Sequence, residues 1–179
     1  MKCAVLAMFL FPAALAAQAT QVITPHQHGT GQLDVVLTET GFSLKLSVPS
    51  MDIVGFEAPV SNDDERTQVA IAISELSEPL DLFVVPEEAG CFTASANVIL
   101  THEIADQVDA ASGKSSSESH AEFQADYVVQ CQDMGLLDRI EFAYFEKFSG
   151  TEKLSVRVEA GGETQTHEAT RVKRSINLP

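Results

Sequence analysis

Gly31-Gln32-Leu33-Asp34-Val35-Val36-Leu37-Thr38-Glu39-Thr40-Gly41-Phe42-Ser43-Leu44-Lys45-Leu46-Ser47-Val48 is the stretch that decides the fold class. Two apolar runs flank a polar tetrad that ends in glycine. Thr38-Glu39-Thr40-Gly41 is turn chemistry, because glycine accepts the positive φ that a tight reversal asks for. On the second run Phe42, Leu44, Leu46 and Val48 share one side of an extended chain, and Ser43, Lys45 and Ser47 share the other. A face difference of that kind means one side buried and one side wet. The reading is a β-hairpin over residues 31–48, with Pro49 at its end because proline has no N–H for the ladder.

Further along, the pattern changes period. Met51 to Pro59 is an apolar connector holding Gly55. Asn62 or Asp63 can cap a helix whose first turn carries Asp64 and Glu65, where the helix dipole favours anions. Val69, Ile73, Leu76 and Leu80 recur at helical spacing, so a helix is predicted from about Asp63 to Ser77 with Pro79 at its exit. Strand signals follow at Leu82–Val85, Cys91–Leu100, Phe123–Cys131, Ile140–Tyr144 and Lys153–Ala160. In the second of these, Phe92, Ala94, Ala96, Val98 and Leu100 are expected to share a face. Gly161-Gly162 turns the chain into a polar, edge-like strand over Thr164–Lys173. Residues 101–121 lose all apolar density and are rich in Ser, Asp, Glu, Gly and Ala, which predicts a mobile loop. The sum is α+β: an antiparallel β-sheet or small sandwich with one main helix packed on one face.

Residues 1–19 read as a secretory signal peptide. Lys2 precedes an apolar run from Cys3 to Leu15, and Ala14-Leu15-Ala16 and Ala17-Gln18-Ala19 are both small-x-small cleavage sequences. That run is too short for a membrane anchor, and Cys3 lies too far forward to carry a lipid at the cleavage site. The expected product is one domain over residues 20–179, exported and soluble, with no membrane insertion. The formal net charge of the whole chain is −15. Such a field repels nucleic acid and anionic lipid and attracts cations.

Processing leaves two cysteines, Cys91 and Cys131. An even count in an exported chain suggests a disulfide; a pair of zinc thiolates is the alternative, although metal pairs usually sit as Cys-x-x-Cys.

The side chains suited to a metal are the five histidines His26, His28, His102, His120 and His167. His26 and His28 stand two apart, so in an extended segment both imidazoles point to one side and can share one ion. His102 and His120 flank the predicted loop, each beside a carboxylate (Glu103 and Glu122). A 91–131 bridge would hold the two loop ends together and let His102, His120 and a carboxylate converge. The competing reading is of polar side chains in water, and that reading is taken for His167. No Gly-x-Ser-x-Gly elbow, His-Glu-x-x-His pair or glycine-rich phosphate loop is present, so the expectation is a protein that is not an enzyme.

Several of these pieces occur together in one known family. They are an export signal, then His26-Gln27-His28-Gly29 leading into a hairpin, then Pro49-Ser50-Met51-Asp52-Ile53-Val54-Gly55-Phe56-Glu57 before an acidic helix, and His120-Ala121-Glu122-Phe123 with Tyr127 and Cys131. The chain resembles the ZrgA-like periplasmic zinc-binding proteins of Gram-negative bacteria over nearly its whole mature length. The resemblance implies a periplasmic protein that binds zinc and supports its acquisition or buffering, passing the ion to a zinc uptake transporter component. Family members commonly carry a loop dense in His, Asp and Glu between the cysteines, where this chain offers only His102 and His120. Ala58 stands where the family often has His. What carries over is a zinc site from His26, His28 and His120, with Glu122 and His102 as further candidates. An exported β-rich interaction module without a metal role is the alternative.

Overall fold

The computed structural model describes residues 27–57, 59–108 and 115–179, and between 103 and 119 only the backbone of two strands. The signal peptide and His26 lie outside the described residues. The decisive hairpin forms as read. Strand β1 (Thr30–Leu37) pairs antiparallel with β2 (Gly41–Pro49). Helix α1 (Ser50–Val54) follows at once, then α2 (Asp63–Leu76) and α3 (Pro79–Leu82). After the short β3 (Phe83–Val84) come the two longest strands, β4 (Phe92–Val108) and β5 (Ser115–Gln130). The chain ends with β6 (Arg139–Phe142), α4 (Tyr144–Lys147), β7 (Lys153–Ala160), β8 (Glu163–Thr170) and β9 (Ser175–Asn177).

Six strands make the main sheet in the order β4-β5-β2-β1-β7-β8, and three make a small one, β3-β6-β9. The architecture is α+β. One side of the main sheet is apolar: Leu33, Val35, Phe42, Leu44, Leu46, Val48, Phe123, Ala125, Tyr127, Val129, Leu154, Val156 and Val158 are all buried there. The small sheet and the helices cover that side, contributing Leu76, Leu82, Phe83, Phe142, Tyr144, Phe145 and Phe148 to the same core. Phe83 stacks on Tyr144 and meets Phe142 edge-on, the two geometries that aromatic quadrupoles favour. The Tyr127 hydroxyl donates to the Leu76 carbonyl at 2.7 Å, so the end of α2 is tied to the middle of the sheet.

Helix α2 starts where its caps say it should. Asn62 Oδ1 accepts from the Glu65 N–H at 2.9 Å, and Glu65 reaches back to the Ser61 N–H. These are reciprocal bonds to otherwise orphaned donors. Ala72 and Leu76 are buried, with Val69 and Ile73 packed beside them. Leu80 falls past the helix end, in α3.

Three features depart from the sequence reading. First, the sheet is not purely antiparallel, since β1 and β7 run parallel. Alternation says which side of a strand is buried but not which way it runs. The long excursion between β2 and β7 lets the chain return in either sense. Second, the stretch read as a loop is largely strand. Residues 101–108 and 115–122 pair in register as an extension of the β4–β5 hairpin, with 109–114 outside the described residues. A backbone ladder needs no apolar side chains, so the loss of apolar density marks the end of the core rather than the end of the strand. Third, the register slips between Thr93 and Ser95. Ala96, Val98 and Leu100 pair with the inward residues Tyr127, Ala125 and Phe123, but Phe92 pairs with Gln130 and is 52% exposed. One extra residue in a strand reverses every side chain before it.

Cys91 and Cys131 form a disulfide just outside the β4–β5 pair, with Cα atoms 3.9 Å apart. Among the described residues no helix is long and apolar enough to cross a membrane.

Candidate metal centre

The start of β1, the end of β2 and the start of β7 all lie at one end of the main sheet, since Thr30 pairs with Lys153 and Pro49 with Glu122. His28 stands on the turn that opens β1, closed by the Thr30 N–H donating to the Gln27 carbonyl at 3.0 Å. Glu57 follows α1, whose last turn ends on Gly55 in the left-handed region (φ 82°). His120 stands on β5 just beyond the last β2 pair. Three segments far apart in sequence therefore deliver two imidazoles and a carboxylate to one corner.

Glu57 lies between the two rings. Its Oε1 is 3.5 Å from His28 Nδ1 and its Oε2 is 3.7 Å from His120 Nδ1. Two donors on one tetrahedral zinc, each at the usual ligand distance, stand about 3.4 Å apart. The spacing is thus close to that of atoms sharing an ion. Glu57 is only 16% exposed, and its Oε1 is buried and makes no hydrogen bond among the described residues. A buried carboxylate oxygen is costly unless a cation or donor satisfies it. Nitrogen, nitrogen and carboxylate oxygen are also ligands that zinc accepts. The donor set fits the ion. As placed, no three His, Cys, Asp or Glu residues among those described stand close enough together to hold a metal. His28 is 58% exposed, so little packing holds its ring.

The other candidates divide. Glu122 is 8% exposed, on the same face of β5 as His120, and its Oε1 accepts from Ser47 Oγ and from Gln124 Nε2. It lines the corner beside His120. His102 is exposed and pairs with Ala121, which puts it on the opposite face of the hairpin from His120. The expected convergence of His102 and His120 is not formed. The disulfide lies at the other end of the hairpin, and so it does not gather the loop ends as the sequence reading supposed. His167 pairs with Val156 and is half-buried, with Nε2 buried and lacking a hydrogen bond, rather than standing in solvent.

Sequence reasoning did not name Glu57 or Asp52 as parts of the site. Asp52 is 5% exposed, and both its carboxylate oxygens accept from the Gly29 N–H, at 2.9 and 2.8 Å. Burial raises its pKa. The Gly29 hydrogen bond and the nearby His28 pull it down, and Glu57 and Glu152 push it up. The signal for both residues was present in the Asp52-Ile53-Val54-Gly55-Phe56-Glu57 run, which carries two carboxylates in an otherwise apolar connector.

Residues 25–178 match the family described as ZrgA family zinc uptake protein. The chain belongs to the ZrgA family. No curated protein matches it. The family resemblance noted from the motifs is therefore correct, and a zinc-related role comes with membership. The matched region takes in His26, His28, Asp52, Glu57 and His120 together.

Proposed function

We propose that this protein is a periplasmic zinc-binding protein that takes up the ion through His28, Glu57 and His120 and supplies it to an uptake transporter. The observation that carries the reading is the Glu57 carboxylate, held between two imidazoles with one buried oxygen lacking a hydrogen bond. His26, two residues before His28, supplies a further imidazole, and Glu122 a further carboxylate. Neutral imidazole binds zinc and a protonated ring does not, so affinity falls as the pH drops. The acidic surface raises the local concentration of cations without choosing among them. Choice comes from the nitrogen-rich corner, because imidazole suits zinc while calcium and magnesium prefer an all-oxygen shell. The protein carries out no chemistry on the ion; it is a carrier rather than an enzyme.

Calorimetric titration of the chelator-stripped mature protein with Zn²⁺ at neutral pH tests this. Saturable submicromolar binding near one equivalent is expected. Glu57→Gln and His120→Ala should each weaken it more than tenfold, as should His26→Ala with His28→Ala. Weak binding spread over many equivalents, indifferent to these changes, would leave only the acidic surface and overturn the reading.

A further inference from the structure

The two segments that carry His28 and Glu57 are each fixed one residue away from the donor. On the first, the Gly29 peptide is gripped from both sides. Its N–H goes to the Asp52 carboxylate of α1, and its carbonyl accepts from the Glu152 and Lys153 N–H groups at 2.8 and 3.0 Å, at the head of β7. Gly29 has φ 77°, and a Cβ there would press on the Glu152 side chain at 3.2 Å. On the second segment, Ser50 Oγ donates to the Phe56 carbonyl at 2.5 Å, folding the chain after α1 back onto its start. Ser50 and Asp52 are both almost wholly buried. Gly150, just before β7, lets α1 lie against that strand's head, since a Cβ there would lie 2.2 Å from the Asp52 carbonyl oxygen.

We infer that Asp52 is a positioning residue for the metal corner: by holding the Gly29 N–H it locks the His28 turn to the α1 segment that presents Glu57. This rests on the zinc reading above. Asp52 does not touch the ion. Its carboxylate is spent on a backbone donor, and a charged acceptor of a buried N–H makes a stronger bond than a neutral one. Removing it frees the turn to pivot, and the imidazole then pays conformational entropy to return to Glu57. A neutral acceptor of the same shape keeps the tether.

The experiment is zinc titration of the full mature chain as wild type, Asp52→Ala and Asp52→Asn, with amide exchange at Gly29 read by NMR on the metal-free protein. Asp52→Ala should weaken binding at least tenfold, and Asp52→Asn should restore it to within about threefold of wild type. Gly29 should be protected in wild type and in Asp52→Asn. An unchanged affinity in Asp52→Ala overturns the inference while leaving the zinc site standing. Equal losses in the Ala and Asn variants also overturn it, by showing that charge and not the tether matters. If Asp52→Ala does not fold, the Asn variant and Gly29 exchange decide: a fast-exchanging Gly29 in wild type means there is no tether. A wild type that binds no zinc would instead overturn the zinc reading, and this role with it.

Discussion

The two ends of the β4–β5 hairpin are built for opposite purposes. At one end Cys91 and Cys131 are joined covalently, and the strands rise from the aromatic core. At the other end the ladder runs on past β2, and His120 stands where the core has stopped. The span from Gln130 to His120 is ten steps of strand, about 33 Å at the usual rise. Stiffness is gathered at one end and metal-ligating side chains at the other. The difference teaches that this fold keeps donors out of its core by side as well as by position: the same strand packs Phe123, Ala125, Tyr127 and Val129 inward and carries Glu122 and His120 on its other side.

The largest effect should come from the stiff end. Replacing Cys91 and Cys131 together with Ala opens a loop of 40 residues, which in the chain-entropy model costs about 4 kcal/mol. Denaturant unfolding should show that loss, while zinc affinity measured under folding conditions stays within about twofold. A collapse of affinity along with stability would mean that the two ends act as one unit.

Next in size is the effect of the ion itself. Free zinc at 100 times its dissociation constant should stabilise the folded chain by about 2.7 kcal/mol, because it binds the native state and not the unfolded one. The stabilisation should vanish in His28→Ala with His120→Ala, whose metal-free stability should stay within about 1 kcal/mol of wild type, the typical cost of a point change. Thermal unfolding with zinc and with chelator measures both. A large loss of metal-free stability in that variant would show these histidines to be part of the structural frame.

How much of this was legible beforehand follows the same division. The core end was readable because burial writes itself into the sequence as period. Phe42, Leu44, Leu46 and Val48 alternate with polar residues, so β2 could be placed almost to the residue, and Asn62 or Asp63 with the acids behind it marked the start of α2. The corner was half readable. His28 and His120 stood out by residue type, but their meeting depends on register between strands remote in sequence, which alternation does not encode. Glu57 was overlooked because a single carboxylate in an acidic chain carries no mark of its own; only its lodging between two rings distinguishes it. His102 was misjudged for a related reason. Once 101–108 is strand rather than loop, the pairing of His102 with Ala121 sends His102 and His120 to opposite faces. The bulge between Thr93 and Ser95 misled in the same way, since a one-residue slip leaves no trace in composition.

The smallest effect probes the ground between the two ends, at Tyr127. Its hydroxyl is buried mid-strand and donates to the Leu76 carbonyl. Tyr127→Phe removes one net hydrogen bond and leaves that carbonyl without its donor, a loss of about 1–2 kcal/mol, with no change in zinc affinity. The same residue gives a pH signature. Burial raises its pKa above the ordinary value of 10, with Asp126 adding to the rise, and burial raises that of Tyr144 as well. A folded-state pKa above the unfolded one means that the native state holds its proton more tightly. The stabilisation is therefore whole below pH 10 and drains away as pH climbs past it. Wild type should lose stability steeply over that alkaline range, and Tyr127→Phe should lose it less steeply, having one fewer proton to release on unfolding. Urea unfolding at a series of pH values from 8 to 11 reads the slope directly. Equal slopes in the two proteins would mean that the phenol titrates as freely in the fold as in the unfolded chain. The middle of the hairpin would then be as open to water as its histidine end.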